Sequence, residues 1–105
     1  MIDLNELCKV SLANAEQRQK NGGHSKADTR SMLKHCATEV VEATEAYTNS
    51  MIRYGSINQQ FADELDDIVC CVLIIAGREE IDIEKAINGC IEKNRKRAEG
   101  TWDKL

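Results

Sequence analysis

Residues 61–77 read Phe61-Ala62-Asp63-Glu64-Leu65-Asp66-Asp67-Ile68-Val69-Cys70-Cys71-Val72-Leu73-Ile74-Ile75-Ala76-Gly77, and this stretch decides the fold. At about 100° per residue, Phe61, Leu65, Ile68, Val72 and Ile75 share one side of a helix. From Ile68 onward the segment is apolar on every face, as expected of a central helix covered by its neighbours. The apolar run Ile68–Ala76 is about half the length a membrane span needs. One position breaks the pattern. With Ile68 as the centre, Phe61 lies at about +20°, Ile75 at about −20° and Glu64 at about −40°, so Glu64 sits inside the apolar stripe. Asp67 lies on its edge at about −100°. A carboxylate so placed is costly unless paired, protonated or bound to a metal. Asp63 and Asp66 turn outward.

Helical periods also run on either side of this stretch. A second strong stripe, Leu33, Cys36, Val40, Ala43, Tyr47, Met51 and Tyr54, steps by three and four over about six turns. Ser25 and Asp28 can cap that helix, and Gly55 is its natural stop. A weaker period from Asp3 to Lys20 (Leu4, Leu7, Val10 or Ser11, Asn14) ends at Asn21-Gly22-Gly23. A last period (Ile83, Ile87, Cys90 or Ile91, Asn94) starts among acids and ends in Lys93, Arg95, Lys96 and Arg97, the polarity a helix dipole favours. Gly77 is expected to separate the third and fourth helices. The expectation is one all-α domain over residues 1–105. Its helices span approximately 3–20, 26–54, 58–76 and 80–98, with short connections that favour antiparallel neighbours.

The chain has 105 residues, 18 acidic and 14 basic side chains, a formal charge of −4, no proline and five cysteines. This length suits one domain. The acidic balance argues against a nucleic-acid partner, which calls for a basic face. No apolar segment is long enough to span a membrane, and the N-terminus lacks a basic region followed by an apolar block, so a cytoplasmic protein without a leader is expected. Five cysteines, two of them adjacent (Cys70 and Cys71), do not suit a disulfide framework. The only histidines are His24 and His35 and there is no CxxC, which speaks against zinc. The cysteines are read as reduced core thiols, with Cys36, Cys70 and Cys90 on core-facing positions.

The chemistry-bearing feature is a pair of carboxylate couples. Glu39-Val40-Val41-Glu42 places two acids on one shoulder of the second helix, beside His35 and Ala46 and about 100° and 160° from Val40. Glu64-Leu65-Asp66-Asp67 places two more on the third. Alone, the first couple reads more readily as a solvated helix face than as a site, and Glu64 reads equally as a single buried acid paired with Arg or Lys. Four carboxylates on adjacent helices, however, repel one another unless a divalent cation sits among them. Hard oxygen ligands in that number suit Mg²⁺, with Mn²⁺ as the other option. A diiron bundle would need Glu-x-x-His pairs, which the chain lacks. Asn94 falls in line with the buried stripe of the fourth helix, Arg97 one turn beyond it and Lys93 on its flank.

Glu39-x-x-Glu42, followed after about twenty residues by Glu64-x-x-Asp67 leading into an apolar helix, resembles the MazG-like all-α nucleoside triphosphate pyrophosphohydrolase superfamily. Residues 33–43 are similar to that family's first metal helix, residues 61–69 to its second, and Lys93-Asn94-Arg95-Lys96-Arg97 to the basic motif that closes the domain. The likeness spans about Met32 to Arg97. It implies a helical core assembled as a dimer or dimer of dimers. It also implies Mg²⁺-dependent hydrolysis of a (deoxy)nucleoside triphosphate to the monophosphate and pyrophosphate. The family's metal ligands fall on Glu39, Glu42, Glu64 and Asp67, its general base on Glu42 or Glu39, and its phosphate contacts on Lys93, Asn94 and Arg97. Members that read a pyrimidine often carry aromatics in the N-terminal segment. Residues 1–46 here contain none, which leaves base stacking to Tyr47, Tyr54, Trp102 or a partner subunit. Two other readings stand beside this one: a non-catalytic helical metal-binding or interaction module, and a phosphoribosyl-ATP pyrophosphohydrolase of the same superfamily.

Overall fold

The computed structural model describes residues 3–22 and 28–100; His24, Ser25 and Trp102, singled out above, lie outside them. Four helices follow in order: α1 (Leu4–Lys20), α2 (Thr29–Tyr54), α3 (Gln59–Arg78) and α4 (Ile83–Ala98). Each starts where an Asp or Asn side chain takes up a first-turn amide that has no partner within the helix. The Asp3 carboxylate accepts from Glu6 N–H, Asp28 from Ser31 N–H, Asn58 from Phe61 N–H and Asp82 from Lys85 N–H. α2 stops as expected at Gly55, whose φ of 67° is left-handed, a conformation glycine adopts without penalty.

α3 does not stop at Gly77. It runs one residue further, to Arg78, and the left-handed turn falls on Glu80, with φ of 55°. Gly77 instead serves a helix crossing. A Cβ built there would stand 2.6 Å from the Cys8 carbonyl oxygen and 3.2 Å from Leu12 Cβ, so α1 approaches α3 as closely as it does only because that atom is absent. α4 correspondingly begins at Ile83, behind its Asp82 cap.

α2 and α3, joined by residues 55–58, form an antiparallel hairpin. α1 packs on the other side of α3, which makes α3 the central helix, while α4 packs against α1. The radius of gyration is 16.5 Å, against about 13 Å for a compact domain of this length. The other helices cover little of α4, which has no buried residue.

The buried face of α2 is not the expected stripe. Met32, Glu39, Ala43, Ala46 and Ser50 are buried, a set centred about 90° around the helix from Val40. Ala43 alone belongs to both sets. Leu33, Val40, Tyr47, Met51 and Tyr54 are exposed, as are Leu65, Val69 and Val72 of α3. The α2–α3 seam is lined with small side chains, and the bulkier apolar face of α2 is left uncovered within one chain. Across the seam the Tyr47 and Phe61 rings meet at a centroid distance of 5.5 Å, tilted by 58°, a favourable aromatic geometry. The cysteines are also redistributed. All five are free thiols; Cys8 and Cys71 are buried and Cys36 half-buried, but Cys70 and Cys90 are exposed. Burial pushes the Cys71 thiol up to about 11, so it stays protonated at neutral pH.

A polar clasp joins α4 to α1. Asn5 Oδ1 accepts from Ile83 N–H at 2.9 Å and from Glu84 N–H at 3.4 Å, its amide donates to Asp82 Oδ1 at 3.0 Å, and Glu84 Oε1 accepts from Leu4 N–H at 2.9 Å. Asn5 thus caps a helix to which it does not belong. Replacing Asn5 by Ala is expected to cost about 1–2 kcal/mol, read by urea denaturation. Hydrogen exchange at the Ile83 and Glu84 amides should accelerate before that of the α2–α3 seam.

Candidate metal centre

The 90° rotation of α2 brings Glu39 to the middle of the seam. Ala43 and Ala46 beside it let the helices come close, and Glu39 is 7% exposed. Opposite, α3 presents Glu64, half-buried, and Asp67, exposed and one turn further on. One carboxylate oxygen from each of Glu39, Glu64 and Asp67 lies within 4.8 Å of the others. Three anionic oxygens at that spacing can share one cation.

Two observations separate this cluster from a patch of solvated acids. Glu39 Oε2 and Glu64 Oε2 are both buried and have no hydrogen-bond partner, and a buried oxygen left unpaired costs about 1–3 kcal/mol. In addition, burial and neighbouring acids raise the proton affinity of Glu39 and Glu64. The Glu39 carboxyl is held above its ordinary range by burial first, then by Glu42, with His35 pulling the other way and Asp67 and Glu64 adding to the rise. Glu64 is raised by burial, then by the charges of Glu42, Asp67 and Asp63, and by a hydrogen-bonding contact with Glu42. A divalent ion relieves both the unpaired oxygens and the repulsion, and an all-carboxylate donor set fits Mg²⁺ or Mn²⁺ better than zinc.

The structure therefore brings Glu39, Glu64 and Asp67 together. Glu42 is exposed and stands beside Glu64, outside the group of three. The other predicted set lies elsewhere. Lys93, Asn94 and Arg97 are on α4, whose main packing is on α1. Asn94 is exposed instead of buried. Its amide lies 3.7 Å from Cys90 Sγ and its Oδ1 3.5 Å from Arg97 Nη1. Arg97 Nε is buried without a partner. Of the stacking candidates, Tyr47 is engaged with Phe61. Tyr54 borders a polar cleft with Arg53 and Asn58 at the closed end of the hairpin.

One residue acquires a contact to which sequence reading gave no role. His35 Nε2 stands 3.0 Å from Glu39 Oε1. Their separation of four residues, one helical turn, was the available signal.

A family model described as the MazG nucleotide pyrophosphohydrolase domain matches residues 27–102 of the chain. No curated protein and no solved structure matches it.

Proposed function

The chain belongs to the MazG nucleotide pyrophosphohydrolase domain family, and from that premise we propose that it hydrolyses (deoxy)nucleoside triphosphates to the nucleoside monophosphate and pyrophosphate. The observation that carries the reading is the pair of buried, unpartnered oxygens on Glu39 and Glu64, set within a three-carboxylate group.

Glu39, Glu64 and Asp67 would hold Mg²⁺, with Mn²⁺ able to replace it and Glu42 close enough to Glu64 to complete the set. When bound, the ion offsets the triphosphate charge and lowers the pKa of a bound water. Glu42 is the general base in this reading, because its exposed carboxylate stands beside the three and is not one of them. It takes the proton of the attacking water. The water oxygen bonds to the α-phosphorus, the bridging α–β P–O bond breaks, and pyrophosphate leaves with that electron pair. Glu39, the other residue assigned to catalysis, fixes the site from the buried side. Lys93, Asn94 and Arg97 bind the phosphates through charge-assisted hydrogen bonds.

Because α4 lies on α1, those three residues reach the carboxylates of a second copy in this reading. The protein is accordingly a homodimer or homotetramer. The uncovered apolar residues Leu33, Val40, Tyr47 and Met51 of α2 and Leu65, Val69 and Val72 of α3 form the face on which that copy seats. The chain is a single domain acting in the cytoplasm, with no nucleic-acid or membrane partner. Among the described residues no helix is long and apolar enough to cross a membrane.

Incubation with each (d)NTP and Mg²⁺, followed by product identification, tests the reading. A monophosphate and pyrophosphate are expected, with activity lost on chelation. A diphosphate and orthophosphate would refute attack at the α-phosphorus, and no turnover of any nucleotide would refute the enzyme. Sedimentation of the same sample is expected to show a dimer or tetramer.

A further inference from the structure

His35 divides the Glu39 carboxylate. Its Nε2 stands 3.0 Å from Oε1, while Oε2 is buried and has no partner. The contact joins positions four apart on α2, so the helix itself sets its geometry. Glu39 is 7% exposed and closely surrounded, whereas the His35 side chain is 47% exposed. The histidine thus reaches inward from the solvent edge of the seam to engage one oxygen of a buried group. A carboxylate with both oxygens free can grip an ion with two. With Oε1 engaged, only Oε2 remains.

We propose that His35 is a positioning residue that makes Glu39 a one-oxygen ligand and thereby selects a small octahedral cation over Ca²⁺. The inference rests on the metal reading given above. Mg²⁺ and Mn²⁺ take six oxygens in octahedral arrangement, and for Mg²⁺ the geometry is strict, whereas Ca²⁺ takes more oxygens at longer range and readily accepts two from one carboxylate. Preventing the two-oxygen grip therefore penalises Ca²⁺ and leaves the octahedral ion its preferred single donor. A plain helix-face pair between positions four apart would add only a few tenths of a kcal/mol of stability and would leave ion preference untouched.

Calorimetric titration of the full chain with Mn²⁺ and separately with Ca²⁺, with no nucleotide present, reads the difference. His35→Ala is expected to weaken Mn²⁺ binding about 10-fold, the usual effect of removing a group that supports a metal ligand, and to leave Ca²⁺ binding unchanged or tighter, so that the preference narrows. His35→Gln, whose amide N–H can reach the same oxygen, should restore most of the Mn²⁺ affinity. Should His35→Ala melt below the assay temperature, His35→Leu against His35→Gln carries the same comparison. Unchanged affinities in the Ala or Leu variant, or equal losses for both ions, would overturn the role of His35 while leaving the metal centre standing. Wild-type protein that binds neither ion would overturn the metal centre and this inference together.

Discussion

Glu64→Gln is expected to lower pyrophosphohydrolase activity about 1000-fold, since metal-held charge stabilisation contributes several kcal/mol and each ~1.4 kcal/mol is a factor of ten. The same substitution should leave the metal-free fold at least as stable as the wild type. The amide keeps the shape of the acid and removes one charge from an acidic group in which Glu39 and Glu64 are raised by their neighbours. The pH dependence follows in sign. Glu39 and Glu64 are raised above the ordinary glutamate value of 4.5, so the folded state binds their protons more tightly than the unfolded chain. Their contribution to stability is full below 4.5 and is lost as pH rises through the raised values. Without metal, wild-type protein should therefore lose melting temperature relative to Glu64→Gln between acid and neutral pH. Asp82 and Glu92 are lowered and act in the opposite direction, but they are common to both proteins and drop out of the difference. Added Mg²⁺ should recover the loss at neutral pH in the wild type only, because a ligand stabilises the state that binds it. Melts with and without Mg²⁺ at three or four pH values check each part. A variant that keeps its activity, or responds to Mg²⁺ as the wild type does, would remove Glu64 from the site.

The second large effect concerns packing. Gly77→Ala should destabilise by about 1–3 kcal/mol, the usual cost of forcing an extra carbon into a tight contact, out of a total of about 5–15 kcal/mol for a domain. The atoms in the way, Cys8 O at 2.6 Å and Cys8 C at 3.1 Å, belong to the α1 backbone and cannot rotate aside, so the whole helix must shift. Gly89 is the matched control. It lies inside α4 with nothing within 4 Å of a built Cβ, and Gly89→Ala should stabilise by about 0.5–1 kcal/mol through helix propensity alone. Urea midpoints of the two variants are thus expected to move in opposite directions. Equal shifts would mean that the α1–α3 crossing does not depend on a missing side chain.

The four helices and the two acid couples were legible in the sequence because both rest on local chemistry. Asp28 and Gly55 are capping residues whatever packs nearby, and Glu64 stood out as an acid inside an apolar stripe. Which face of α2 packs on α3 was not legible. Hydrophobic periodicity finds the most apolar face, Leu33 to Tyr54, whereas a seam close enough for Glu39 to meet Glu64 and Asp67 needs small residues such as Ala43, Ala46 and Ser50. The two demands fall on faces about 90° apart, and a pattern in one chain does not say which face serves that chain. Gly77 misled for a similar reason. A glycine after an apolar run reads as a stop, and its use for a close crossing depends on Cys8, about seventy residues away in the sequence. Nor did the composition of Lys93–Arg97 fix which helix would lie beside it.

The clasp at Asn5 carries a mechanical consequence. The hydrogen bonds described between α1 and α4 all involve residues 82–84, whereas Lys93, Arg95, Lys96 and Arg97 lie towards the far end of α4, Arg97 about 22 Å along the axis from Asp82. Such a helix is a lever arm pivoted at its first turn. A swing of about 10° there carries Arg97 through about 4 Å, the full range over which an ion pair is made or lost. Where the arginine comes to rest is therefore governed by the angle at which Leu4 and Asn5 grip the opposite end of the rod.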